Sequence, residues 1–190
     1  MKKFLITLSV LVVILALGTG IYYLSQFLNQ PTEEEIQSAQ EEIDEQFKTA
    51  EANMPEGERL DLQVEFPDDM EESRMITIIH QMSHQKVKAS DKWGQYQITQ
   101  ERVNRLLEVA KRNQPAYKHG NVYVDILGKW SEGDFSKADE HHNKVWAILG
   151  GNVGQATGLL SPVEEKAYIE KHFKSTSTEE MKKNEQDEGE

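Results

Sequence analysis

Apolar residues follow three different patterns along this chain. Residues 4–28 are apolar almost without a break, interrupted by Thr7, Ser9, Gly18, Thr19, Gly20, Ser25 and Gln26 and by no charge. Residues 31–52 carry only a thin stripe, Ile36, Ala39, Ile43, Phe47 and Ala50, at intervals of three and four. That interval is the period of one helix face. Thr32 and Glu35 stand at capping-box spacing ahead of it, and Glu33 to Glu35 favour the positive end of a helix dipole. Residues 54–69 contain Pro55, Gly57 and Pro67 and read as a linker, with a short extended piece at 60–66.

Past the linker the helical period takes over. Asp68 or Asp69 is a candidate cap for a helix bearing Met75, Ile78, Ile79, Met82 and Val87. A loop around Trp93-Gly94 leads to Thr99, which caps a second helix with Val103, Leu106, Leu107 and Ala110 on one face; Pro115 ends it. Tyr123, Ile126, Leu127 and Trp130 mark a third. Asp134 is the candidate cap of a fourth, carrying Phe135, Ala138, Val145, Trp146 and Leu149. A glycine-rich stretch follows, and then Ser161-Pro162-Val163-Glu164, a capping box with proline at the first helical position, opens a fifth. No alternating run is strong enough for a sheet. The predicted class is all-α. A bundle of about five helices at 69–174 follows a cytoplasmic tip and transmembrane anchor at 1–28 and an acidic stalk and linker at 29–68. A polar, disordered tail at 175–190 follows the bundle.

The apolar run at 4–28 is long enough for a hydrocarbon core of about 30 Å. Gly18-Thr19-Gly20 has the small-x-small form of a signal cleavage site, which keeps a cleaved signal peptide as the alternative. The apolar run continues past it through Ile21, Tyr22, Tyr23, Leu24, Phe27 and Leu28, which favours an uncleaved anchor. Lys2 and Lys3 hold the N-terminus in the cytoplasm. The expected place is a bacterial cell membrane, crossed once, with the C-terminal domain outside. The chain has no cysteine, so it has neither disulfides nor thiolate ligands.

The net charge of −12 is unevenly placed. Residues 31–72 hold sixteen acids against Lys48 and Arg59, whereas residues 74–174 hold fifteen bases and eleven acids. The bases concentrate in Lys86, Lys88, Lys92, Arg102, Arg105 and Arg112, with Lys111 and Lys118 beside them. Such a patch is either an ordinary solvated face or a site for an anionic partner: lipid headgroups, wall-polymer phosphates, or the chain's own acidic stalk.

His80 and His84 stand one helical turn apart, a spacing that lets both imidazoles serve one metal ion. Gln81 follows His80 where a metalloprotease helix has its glutamate base. Two ligands are fewer than the three or four a stable zinc site uses. On spacing alone they are boundary histidines bonded to a carbonyl or carboxylate, and the domain shows no tight metal dependence. Acid–base work is a further reading. His142 lies on the packed side of its helix, with His141 on the solvated side. A metal site requires His142 to come within about 4–5 Å of the other two. The string "GGNVGQATG" lacks the lysine and hydroxyl of a phosphate loop and follows a helix, so it reads as a helix-ending turn.

Two resemblances bear on these residues. Leu127, Gly128, Gly133, Phe135 and Ala138 resemble one helix–turn–helix of a tetratricopeptide repeat, but there is no second copy, and a solenoid needs about three. The strings "HQMSHQKVKASDKWG", "GDFSKADEHHNKVW" and "GGNVGQATGLLSPVEE" are similar to an uncharacterised family of small membrane-anchored or exported proteins of low-GC Gram-positive bacteria. That resemblance covers about a hundred residues, implies the same compartment and carries no catalytic residue. The expectation is a non-enzymatic, membrane-tethered interaction domain of the bacterial envelope. It meets an envelope protein or an anionic wall polymer, without nucleic acid and without a cofactor. The alternative is a histidine-based domain, sensory or hydrolytic, holding zinc or another divalent metal.

Overall fold

The computed structural model describes residues 18–20, 23, 30–53 and 61–174. The chain divides into two compact units, residues 1–35 and 36–190. In the first, the Glu35 carboxylate accepts from the Thr32 backbone N–H at 2.8 Å, and the Glu35 N–H donates to Thr32 Oγ1 at 3.2 Å, as the capping-box spacing predicts. Among the described residues no helix is long and apolar enough to cross a membrane. The anchor expected at 4–28 falls almost wholly outside them.

The second unit is mainly helical, which agrees with the predicted class at that level. Its elements are α1 (Glu33–Asn53), α2 (Leu62–Glu65), α3 (Glu72–Ser83), β1 (Val87–Lys88), α4 (Gln100–Asn113), α5 (Gly120–Ser131), α6 (Ala138–Ile148), β2 (Gly158–Leu159) and α7 (Pro162–Ile169), followed by a π-helical turn, Glu170–Lys174. α3 packs against α6, and α4 against α5. The core between them holds Met75, Ile79, Met82, Val103, Leu106, Tyr123, Ile126, Leu127, Trp130 and Val145, all buried. Each such side chain contributes roughly 1.5–3 kcal/mol by leaving water.

Several local expectations change. The acidic helix expected as a stalk is part of the domain from Ile36 on. It buries Ala39, Ile43, Phe47 and Glu51, and Phe47 sits edge-on to Phe135 at 5.4 Å. The thin apolar stripe is thus a packing face, and the compact unit begins at Ile36, well before residue 69. The piece expected to be extended near 60–66 contains the helical turn α2, because the Asp61 carboxylate accepts from the Gln63 and Val64 N–H groups. Neither Asp68 nor Asp69 caps α3, which starts behind Glu71; Asp68 meets Arg105 at 3.0 Å instead. The Asp134 carboxylate closes a local turn onto Ser136, and α6 starts later, at Ala138. The caps at Thr99 and Ser161 form as predicted.

The unpredicted element is a two-stranded antiparallel ladder, β1 against β2, with Val87 opposite Leu159 and Lys88 opposite Gly158. Thr157 N–H donates to Lys88 O at 2.8 Å and Leu160 N–H to Lys86 O at 2.9 Å, extending it on both sides. Two residues per strand leave no alternation to read. The ladder sets the segment after α3 beside the glycine-rich segment after α6, and the candidate site lies where these segments meet.

Candidate metal centre

α3 carries His80 and places His84 one turn further, at its C-terminal boundary, while α6 presents His142 from the opposite side. The ring centroids lie 4.7 Å apart for His80 and His84, 4.6 Å for His80 and His142, and 5.4 Å for His84 and His142. One ligand-capable nitrogen from each ring lies within 4.8 Å of the others. This meets the distance that the sequence reading set for a metal site. Nitrogens sharing a tetrahedral zinc at about 2.0–2.1 Å are roughly 3.3 Å apart, so side-chain rotations of about an ångström close the set.

Hydrogen bonds fix the tautomers. His84 Nδ1 lies 2.7 Å from the Gly94 carbonyl oxygen. A carbonyl only accepts, so Nδ1 carries the proton and Nε2 keeps its lone pair. That Nε2 is buried without a partner, and so is Nε2 of His80. His142 Nε2 lies 3.1 Å from the Gly154 carbonyl oxygen and so carries the proton, leaving Nδ1 to accept from the Ser83 hydroxyl at 2.8 Å. The Ser83 hydroxyl has a second acceptor, the His80 carbonyl oxygen at 2.5 Å. If an ion takes Nδ1 of His142, that proton still has a place to go. A ring N–H held by a backbone carbonyl is the outer arrangement that orients imidazole ligands.

The two glycines make this possible. Gly94 has φ +76° and Gly154 φ +79°. A Cβ at Gly154 would lie 2.4 Å from the Asp91 carbonyl oxygen, and one at Gly94 would run into the Gln81 side chain. Asn143, next to His142, grips the same loop: its amide donates to Ala156 O at 3.0 Å and its oxygen accepts from Ala156 N at 2.8 Å. Trp146 Nε1 donates to Val153 O at 2.7 Å. The glycine-rich stretch is therefore a helix-ending turn, with Gly150 at φ +74°, that also delivers a carbonyl to His142.

Burial is the first cause that moves these rings. It pushes His80 and His84 down to about 4, with the neighbouring imidazoles adding to the effect. The Gly94 hydrogen bond opposes it at His84. Burial also lowers His142, against the pull of the Gly154 carbonyl and with the Lys92 ammonium adding to the drop. Among the described residues no carboxylate shifts any of the three. All are neutral near pH 7, the form that binds metal. His141, one residue away, differs: burial lowers it too, but Asp125, Glu140 and Asp134 pull the other way.

The six cations of the predicted patch all meet acceptors within the chain. Lys86 pairs with Glu165 at 2.6 Å and Arg102 with Glu51 at 2.5 Å, both buried. Lys88 meets Glu164 at 2.9 Å, and Arg105 and Arg112 meet Asp68 at 3.0 and 3.4 Å. Lys92 donates to the His84 carbonyl oxygen at 2.9 Å and lies 4.6 Å from the centroid of the Tyr168 ring. The sequence reading missed Ser83, Gly94, Asn143 and Gly154. Only the two glycines left a trace, as loop punctuation.

Residues 79–170 match the family model of DUF6241, a family of unknown function. No curated protein and no solved structure matches the chain. The similarity to DUF6241 fits an uncharacterised family, which is the coarser part of what the sequence led us to expect. The DUF6241 match begins one residue before His80 and ends past Tyr168. It contains the three imidazoles, Ser83, both carbonyl-bearing glycines and Lys92, and leaves out α1 and α2.

Proposed function

We propose that this domain binds a divalent metal ion through His80, His84 and His142, with zinc the ion best suited to three neutral imidazoles. The observation that carries the reading is the convergence of three such rings with two Nε2 atoms buried and unpartnered. Leaving a buried polar atom without a partner costs about 1–3 kcal/mol. A core position with no ligand to hold is served better by leucine. A metal ion turns both costs into bonds, and the Gly94 and Gly154 carbonyls already hold the other ring nitrogens of His84 and His142.

Among the sensory and hydrolytic variants of this reading, a binding or sensing site has the stronger support. Gln81 stands where a protease helix has its base, and among the described residues no carboxylate joins the cluster. The apolar run at 4–28 and the absence of cysteine support placing the domain outside the membrane of a Gram-positive bacterium, held by an N-terminal anchor. An anionic polymer reached through the basic residues has less support, since all six cations have acceptors in the chain. The test is zinc competition against a chromophoric chelator, using the purified full-length chain stripped of metal. The expected result is one ion per chain, with at least about a hundredfold loss of affinity in His84→Ala. An affinity unchanged by His80→Ala, His84→Ala and His142→Ala overturns the reading.

A further inference from the structure

Three protein ligands leave a tetrahedral ion one open position. What fills it depends on the charge around it. The imidazoles are neutral, so a bound divalent ion brings two positive charges, and Lys92 adds a third. The Lys92 ammonium sits beside the cluster, 2.9 Å from the His84 carbonyl oxygen, with its outer side over the Tyr168 ring. It has three N–H donors, and that carbonyl is its one hydrogen-bond acceptor among the described residues. Lys92 is also the charged residue that acts on both His84 and His142. The acid nearest in effect to Lys92 is Glu164, and Glu164 is already bound by Lys88 at 2.9 Å. A half-buried site with three positive charges and no carboxylate of its own calls for an anion from outside. His80, unlike His84 and His142, is only half-buried.

We propose that the loaded site is an oxyanion receptor, in which the fourth position of the metal and the Lys92 ammonium together hold a small oxyanion of the phosphate class. This rests on the metal-binding reading and goes one step past it. One oxygen takes the open coordination position and a second accepts from Lys92, a charge-assisted bond of the stronger kind.

Cobalt(II) separates the two claims, because tetrahedral cobalt has visible d–d bands that respond to a change of fourth ligand. The full-length chain is loaded with cobalt alone and then titrated with inorganic phosphate, with glycerol phosphate as a monoester and with sodium chloride as the ionic-strength control. The bands are expected to appear with cobalt and to shift saturably with phosphate but not with chloride. A response to the monoester as well identifies the terminal phosphate group as what is recognised, and a response to phosphate alone limits the ligand to the free ion. In Lys92→Gln the cobalt bands remain, and half-saturation by phosphate rises on the order of tenfold. In Lys92→Arg it returns to near the wild-type value. Bands that ignore both phosphates, or a Lys92→Gln protein that titrates like wild type, overturn the oxyanion proposal and leave the metal site standing. Absence of any cobalt band overturns the metal reading, and this proposal with it.

Discussion

Arg102 and Lys86 are buried charges that each meet a buried carboxylate, Glu51 at 2.5 Å and Glu165 at 2.6 Å. In each carboxylate the paired oxygen also takes a second donor. Thr99 Oγ1 donates to Glu51, the Gln85 amide donates to Glu165, and the Gln85 oxygen accepts from the Ile98 N–H. The Arg102 Nε contact is a close ion pair whose angle falls short of a hydrogen bond. Two residues before Lys86 stands His84, and its Nε2 and that of His80 are also withdrawn from water, with no partner among the described residues. The first region is complete as it stands. The second leaves two buried nitrogens without a partner among the described residues, and that difference is the reason to propose it as a site.

The largest expected effect comes from opening the complete region. Glu51→Ala leaves Arg102 buried without its counter-charge and should cost about 3–5 kcal/mol in urea unfolding. The double variant Glu51→Leu with Arg102→Met should recover most of that loss, because two matched apolar side chains leave no charge behind. A single variant costing under about 1 kcal/mol would show that the pair is solvated, and the comparison would lose one side.

Zinc should next complete the incomplete region. At a hundredfold excess over its Kd, an ion that binds only the folded state adds about 2.7 kcal/mol. For a domain of this size the melting temperature should rise by roughly 5–10 °C. Calorimetry with and without a chelator measures this, and the rise should vanish in His84→Ala and remain in Glu51→Ala. The sequence alone led to the opposite expectation, a melting point indifferent to zinc. Two histidines one turn apart are visible in a sequence, but the third ligand comes from a helix 58 residues on.

That gap marks how much was legible. Helix faces, the Thr99 and Ser161 caps and the mainly helical class were readable because periodicity and capping are local. The placement of α1 was not, since its five apolar positions read equally well as a stalk stripe or a packing face. The meeting of α3 with α6 was not, because it depends on a ladder of two residues per strand. Gly94 and Gly154 were readable as turn formers. That their carbonyls meet His84 and His142 was not readable, because it depends on how the two loops come together in the fold.

The pH dependence of the metal-free protein sharpens the comparison further. His80 and His84 titrate near 4 when folded and near 6.5 when unfolded. Between those values the unfolded chain takes up protons that the folded chain refuses, so stability falls as the pH drops from about 6.5 toward 4. Urea midpoints at pH 7 and pH 5 should differ more for the wild type than for His80→Leu. Equal slopes in the two proteins would show that His80 is not held neutral by burial. At pH 7, without metal, His80→Leu should unfold within about 1 kcal/mol of wild type or be more stable, since it removes an unpartnered buried nitrogen. It should also lose most of the zinc response. Stability kept while the response is lost is the signature of a residue retained for its ligand.

The smallest effect is expected at Lys88. This residue, on β1, and Lys86, just before that strand, pair with neighbouring acids, Glu164 and Glu165. The Lys86 pair is buried, whereas the side chains of Lys88 and Glu164 are 48% and 46% exposed. Water and salt screen an exposed pair, and holding two long side chains in register offsets much of its attraction. Lys88→Gln should therefore change stability by less than about 1 kcal/mol. Lys86→Gln leaves Glu165 buried without its cation and should cost several times more. The sequence neighbourhood and the charge type are shared, so burial is the main variable that separates the two. Chemical unfolding of both variants side by side measures it. Equal costs would mean that the position of the ladder, and not burial of the charge, sets the energy of these pairs.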